Sequence, residues 1–241
     1  MFETLLFIVA AVAGAVASVA GFGIGSLLTP LLAMQVGTKI AVAAISIPHF
    51  IATAVRFWQM RANVDRRVIR SFGITSIAGG LTGALLQSRA DSPILTIVFG
   101  LLLMFAGISG LTGLSERMRF HGALAWIAGA VSSFFGGLVG NQGGIRSAAL
   151  LGFEMSRDAY VATATAIGLC VDVARMPVYL VTQHTQLRAI ALQITIAVLG
   201  TVLGTLLGTR LLKRIPEKTF RTLVSLLILG LGIYMTVKGV R

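Results

Sequence analysis

The sequence predicts an all-α polytopic membrane protein built from two tandem homologous repeats, 1–115 and 116–241. Each repeat has a glycine-broken hairpin and three transmembrane helices. Three observations lead there. Of the 241 residues, 56% are hydrophobic and only 12% charged, where a soluble domain carries about 25% charge; mean hydropathy is +0.91. The apolar runs are long and continuous, as in membrane helices, and do not alternate in the short segments of a barrel. Finally, two apolar stretches, GFGIGSLLTPLLAM from Gly21 and GNQGGIRSAALLGF from Gly140, are interrupted by glycine at matching places. Adding 119 carries Gly21 to Gly140, Gly25 to Gly144, Leu31 to Leu150, Val42 to Val161 and Arg56 to Arg175. Paired, interrupted hydrophobic segments in the two halves of a chain point to a binding site at the breaks of a transporter.

Apolar segments run over 4–20, 26–36, 40–60, 71–88, 93–114, 122–139, 145–155, 159–182, 187–209 and 220–238. Most approach or exceed the ~20 residues that cross ~30 Å at 1.5 Å per residue. The segments 26–36 and 145–155 are too short to cross alone, and each follows a glycine break. In the segments 71–88 and 187–209, Gly79-x-x-x-Gly83 and Gly200-x-x-x-Gly204 occupy equivalent places in the two halves. Small residues four apart let helix backbones approach closely.

Two threadings are open. If residues 4–36 cross as one broken helix, each half has four crossings and both halves point the same way. If the chain turns back at the glycines, each half has three crossings plus a re-entrant hairpin, and the halves are inverted. Lys and Arg concentrate in short cytoplasmic loops. The re-entrant threading puts 12 basic residues inside and 5 outside, whereas full crossing gives 9 and 8. Inverted repeats with re-entrant hairpins, both termini outside, are therefore preferred. Three basic residues remain within the spans: Arg56, Arg146 and Arg175.

The helix starting after each break points its N-terminus at membrane depth. Its first four N–H groups lack intrahelical partners and carry roughly half a positive charge, which suits an anion. Gly23, Gly25, Gly143 and Gly144 would offer backbone N–H groups, and Asn141 and Gln142 could bond oxyanion oxygens. The alternative is that the glycines only permit tight packing. Arg146 follows the second break directly. A charge at the membrane centre costs roughly 2.5–3.5 kcal/mol on insertion scales, so it marks function. It reads as a substrate-anion ligand or as a structural partner for a carbonyl or for Asp172.

Ser46, His49, Thr53 and Arg56 lie three to four apart, on one helix face. Their partners 119 residues on are Thr165, Gly168, Asp172 and Arg175. Arg175 is a candidate anion ligand, or it simply neutralises Asp172. Arg56 lies near a helix end and can snorkel to the headgroups. His49 and Asp172 are candidates for carrying a coupling proton, an imidazole having an unperturbed pKa near 6.5. A hydrogen bond from His49 to a neighbouring helix is the competing reading.

Net charge is +12. The loops are too short and there is no basic arm, so the charge is assigned to the cytoplasmic face and no nucleic-acid partner is expected. Cys170 is the single cysteine, which excludes an internal disulfide. His49, His121, His184 and Cys170 show no metal-ligand spacing, and no metal or other cofactor is expected. No basic residue precedes the first apolar run, unlike a cleaved signal peptide. No nucleophile–base motif suggests an enzyme.

In the segments GFGIGSLLTPLLAM with AVAAIS, and GGLVGNQGGIRSAALLGF with VATATAIG, the chain resembles the TauE/SafE sulfite exporter family of bacterial membrane permeases. The resemblance covers nearly the whole chain. It implies a multi-pass protein of the bacterial inner membrane that transports small sulfur anions such as sulfite, a sulfonate or thiosulfate. The expected partners are a small anionic substrate and the lipid bilayer, with a homo-oligomer left open. The rival readings are an anion channel and a non-transporting assembly protein.

Overall fold

The computed structural model describes residues 1–21, 23–114, 120, 122–140, 146, 149–150, 152–212 and 217–240. The described residues form helices and no strand. They are α1 (Phe2–Ala20), α2 (Ile24–Met60), α3 (Ile74–Arg89), α4 (Ser92–Thr112), α5 (Ala123–Val139), α6 (Arg157–Thr182), the short α7 (His184–Ala189), α8 (Ala191–Leu212) and α9 (Glu217–Val240). With α3 extended back to Arg66, seven described helices are long and apolar enough to cross a membrane. The eighth, α5, is a little shorter. A spanning chain without water partners must satisfy its backbone internally, and continuous helices do so.

A helix ends at the glycine that opens each expected break. α1 ends at Gly21, whose φ of 79° is left-handed and whose N–H donates to Ala17 O at 3.0 Å. α5 ends in the same way at Gly140, with φ 77° and an N–H donating to Gly136 O at 2.9 Å. A residue without a Cβ enters that conformation at no steric cost. α2 is itself two helical arms, divided at Gly37 with φ 78° and ψ 158°. The first arm is therefore short, and the second carries the polar stripe.

Helix pairs α1–α8, α3–α5 and α4–α9 make the closest packings, while α2 and α6 pass between them. Over their most apolar windows α2 is 56% and α6 50% buried, against 22% for α9, so these two form the interior. Leucines such as Leu85, Leu101, Leu199 and Leu223 stay exposed on the outer helices, where lipid meets them.

The close approaches correct the expected pairing of small residues. A Cβ on Gly79 would lie 2.1 Å from Ala130 O, and one on Gly204 would lie 1.9 Å from Ala11 O. Likewise Gly83 backs onto Phe134 and Gly208 onto Ala15. Ala11 and Ala130, like Ala15 and Phe134, are 119 apart. The counterparts of Gly79 and Gly83 are thus Gly204 and Gly208, not Gly200 and Gly204. The offset between these pairs is 125 residues, six more than the 119 that relates the breaks.

Polar ties lock the other ends. Thr38 N–H donates to Ser92 Oγ at 3.0 Å, and Gln87 Nε2 donates to Lys39 O at 2.8 Å. Gln183 Nε2 reaches Gln87 Oε1 at 3.0 Å, so the end of α6 joins the end of α3. In an apolar interior such bonds have no water to compete with them.

Candidate functional site

The two polar stripes face each other. His49 Nδ1 on α2 donates to Asp172 Oδ2 on α6 at 2.6 Å, and Arg56 Nε donates to Thr165 Oγ1 at 2.9 Å. His49 thus bonds a neighbouring helix, the competing reading of the sequence, through one of the carboxylate oxygens. The other oxygen, Oδ1, accepts from Arg175 Nε at 2.9 Å and lies 2.7 Å from Arg175 Nη2. Asp172 is fully buried, whereas the His49 side chain keeps 14% of its surface exposed. His49 is therefore the more exposed member of the pair. One turn from Arg56, Thr53 Oγ1 is buried without a hydrogen-bond partner among the described residues.

Arg56 and Arg175 play matching parts. Arg56 Nη1 donates to Ala17 O, in the last turn of α1, and Arg175 Nη1 donates to Gly136 O, in the last turn of α5. The two arginines are 119 residues apart, and so are the two carbonyls. Each of these carbonyls already accepts the N–H of its closing glycine, and the guanidinium adds a second, charge-assisted bond at a helix end that carries partial negative charge. Tyr179 adds its hydroxyl to the neighbouring Gly137 O. Arg56 does not snorkel: it is only 5% exposed. Arg175 has the carboxylate partner that the neutralising reading requires.

The two breaks touch. Gly25, buried in the first turn of α2, faces Gly140 at the end of α5, and a Cβ there would lie 2.5 Å from Gly140 O. Gly23, at the N-cap of α2, has φ 131°, and its Cβ would meet Val16 Cγ1 at 3.0 Å. Backbone cannot yield as a side-chain tip can, so Gly25→Ala is expected to force α2 away from α5. It should lower both the unfolding temperature in detergent and any transport. A variant with wild-type melting and function would show that the contact between the breaks is dispensable.

Arg146 stands just beyond the second break and is buried. Its Nη1 has no hydrogen-bond partner among the described residues. A Cβ on Gly168 would come within 3.1 Å of that nitrogen, so the missing side chain on α6 is what admits the guanidinium. Asp172 and Arg175 are charged neighbours of Arg146, and Arg56 is close enough to repel it. Asn141, Gln142, Gly143 and Gly144 lie outside the described residues.

Some participants escaped sequence reasoning. Ala17 and Gly136 contribute only carbonyls, which no side-chain pattern advertises, and the role of Gly168 is an absence of atoms. The 119-residue offset was the available signal, since it paired Arg56 with Arg175 and Gly168 with His49. An apolar groove of about 520 Å³, lined by residues including Val16, Leu27, Leu203 and Leu227, touches none of the charged groups. Its lining suits hydrocarbon rather than an ion.

A family model described as sulfite exporter TauE/SafE matches residues 6–235, nearly the whole chain. The chain belongs to the TauE/SafE family. No curated protein and no solved structure matches it. The TauE/SafE match and the seven apolar helices together make this a multi-pass membrane protein. Both glycine breaks, the facing stripes and Arg146 fall inside the span matched to TauE/SafE. Among the described residues of this TauE/SafE chain, no three His, Cys, Asp or Glu side chains gather as metal ligands would.

Proposed function

We propose that this TauE/SafE chain is a secondary carrier in the bacterial inner membrane for a small oxyanion containing sulfur: sulfite, a sulfonate or thiosulfate. Arg146 is the direct ligand, with Asn141, Gln142 and the backbone N–H groups of Gly23, Gly25, Gly143 and Gly144 around it. His49 carries the coupling proton against Asp172. Arg175, held by Asp172 and Gly136 O, adds its field to the site. The repeats 1–115 and 116–241 are inverted, each contributes a re-entrant hairpin, and rocking of one against the other gives alternating access.

The observation that carries this reading is the buried guanidinium of Arg146, set against Gly168, with a nitrogen that has no partner among the described residues. An unpaired buried cation is costly, and a site that binds an anion turns that cost into affinity. The repeat reading is supported by the matched caps of Arg56 on Ala17 and Arg175 on Gly136, and by the matched approaches of Gly79 and Gly204.

Purified protein in proteoliposomes tests the carrier. Labelled sulfite or thiosulfate should enter saturably and should accumulate transiently by counterflow against unlabelled anion inside. Uncoupled current without counterflow would identify a channel instead. No flux of any sulfur anion under any gradient would leave an assembly role as the surviving reading.

A further inference from the structure

Three guanidinium groups, Arg56, Arg146 and Arg175, are buried together with Asp172, the single buried carboxylate among the described residues. With a neutral imidazole on His49, this cluster carries two uncompensated positive charges. The negative end of α1 at Gly21 and the positive end of α2 at Ile24 meet at one break, so their half charges nearly cancel. The outer residues offer no relief, because the other described carboxylates, Glu3, Asp65, Asp91, Glu154 and Asp158, are not buried. Each guanidinium nitrogen of Arg56 and Arg175 has an acceptor among Thr165, Asp172 and the helix-end carbonyls, while Arg146 Nη1 has none among the described residues.

We infer that the site selects doubly charged oxyanions over singly charged ones of the same shape, because only a dianion neutralises the buried cluster. This rests on the carrier reading and sharpens its substrate class. The dianions of sulfite, sulfate, thiosulfate and sulfoacetate rank ahead of bisulfite, methanesulfonate and isethionate. Members of each pair are close in size, and the second charge sits on an added oxygen in one pair and on a carboxylate in place of a hydroxyl in the other, so the two Arg146 variants below separate charge from acceptor count. In a low-dielectric interior the charge difference is poorly screened, and it dominates the discrimination.

Equilibrium binding to the purified full chain tests it, by titration calorimetry at one pH and one ionic strength. The probes are two matched pairs: sulfate with methanesulfonate, and sulfoacetate with isethionate. The wild type is expected to bind the dianion at least tenfold more tightly in both pairs. Arg146→Gln, which removes one charge, should cut that ratio at least tenfold. Arg146→Lys, which keeps the charge, should preserve it. The unfolding temperature of each variant in detergent checks that it is folded, and the wild-type ratios decide the inference if a variant is not. A wild-type ratio below tenfold in either pair overturns the inference and leaves the carrier standing. If neither member of either pair, nor sulfite nor thiosulfate, binds the wild type, the carrier reading itself falls.

Discussion

Arg146→Ala is expected to lower sulfur-anion flux in proteoliposomes at least a hundredfold while the unfolding temperature in detergent stays level or rises. A hundredfold is about 2.8 kcal/mol, the scale of one hydrogen bond between charged partners in a buried site. The stability forecast follows from the geometry. Arg146 Nη1 has no hydrogen-bond partner to lose among the described residues, and the attraction to Asp172 that goes with the cation is set against its repulsion with Arg175 and Arg56. The void left against Gly168 works the other way, so the two effects offset. A structural arginine would behave differently: its loss would lower the unfolding temperature, and flux would fall only with the folded fraction. Wild-type flux in Arg146→Ala would exclude it as the ligand.

Asp172→Asn is expected to be the most destabilising single change in the interior. The carboxylate takes Arg175 on one oxygen and His49 on the other, and all three groups sit between α2 and α6. Breaking a buried pair from one side costs about 3–5 kcal/mol, because a charge stays behind without compensation. Here the residual charge would add to an already positive cluster. Pairing the change with Arg175→Gln should recover part of the loss, since the stranded charge is then gone. Chemical unfolding of the single and double variants measures both steps. A single variant as stable as wild type would mean that Asp172 is not the anchor of this cluster.

Much of the architecture was legible in the sequence because membrane helices announce themselves locally. Length and apolarity located the spans, and glycine located the ends of α1 and α5 together with the start of α2. The register of α8 was not legible. Its glycines stand six residues later than the 119-residue offset places them, and only their contacts with Ala11 and Ala15 reveal the slip. Arg56 was also misjudged as a snorkelling candidate, because distance from a helix end does not say which neighbour is near. Its acceptor is a carbonyl 39 residues upstream, on another helix.

The candidate site divides along the same line. The amino-acid order alone established the breaks, the stripe spacing and the three span-embedded arginines, since these depend on hydrophobicity and on helical periodicity. Which charges pair was a tertiary outcome. His49 meets Asp172 across 123 residues of chain, and Gly25 meets Gly140 across the two breaks. Asp172 could have held Arg146 and left Arg175 free with the same residue spacing. Packing of α2 against α6 decided otherwise, because a buried carboxylate has two oxygens and the nearest donors take them. That leaves Arg146 with a nitrogen unpartnered among the described residues.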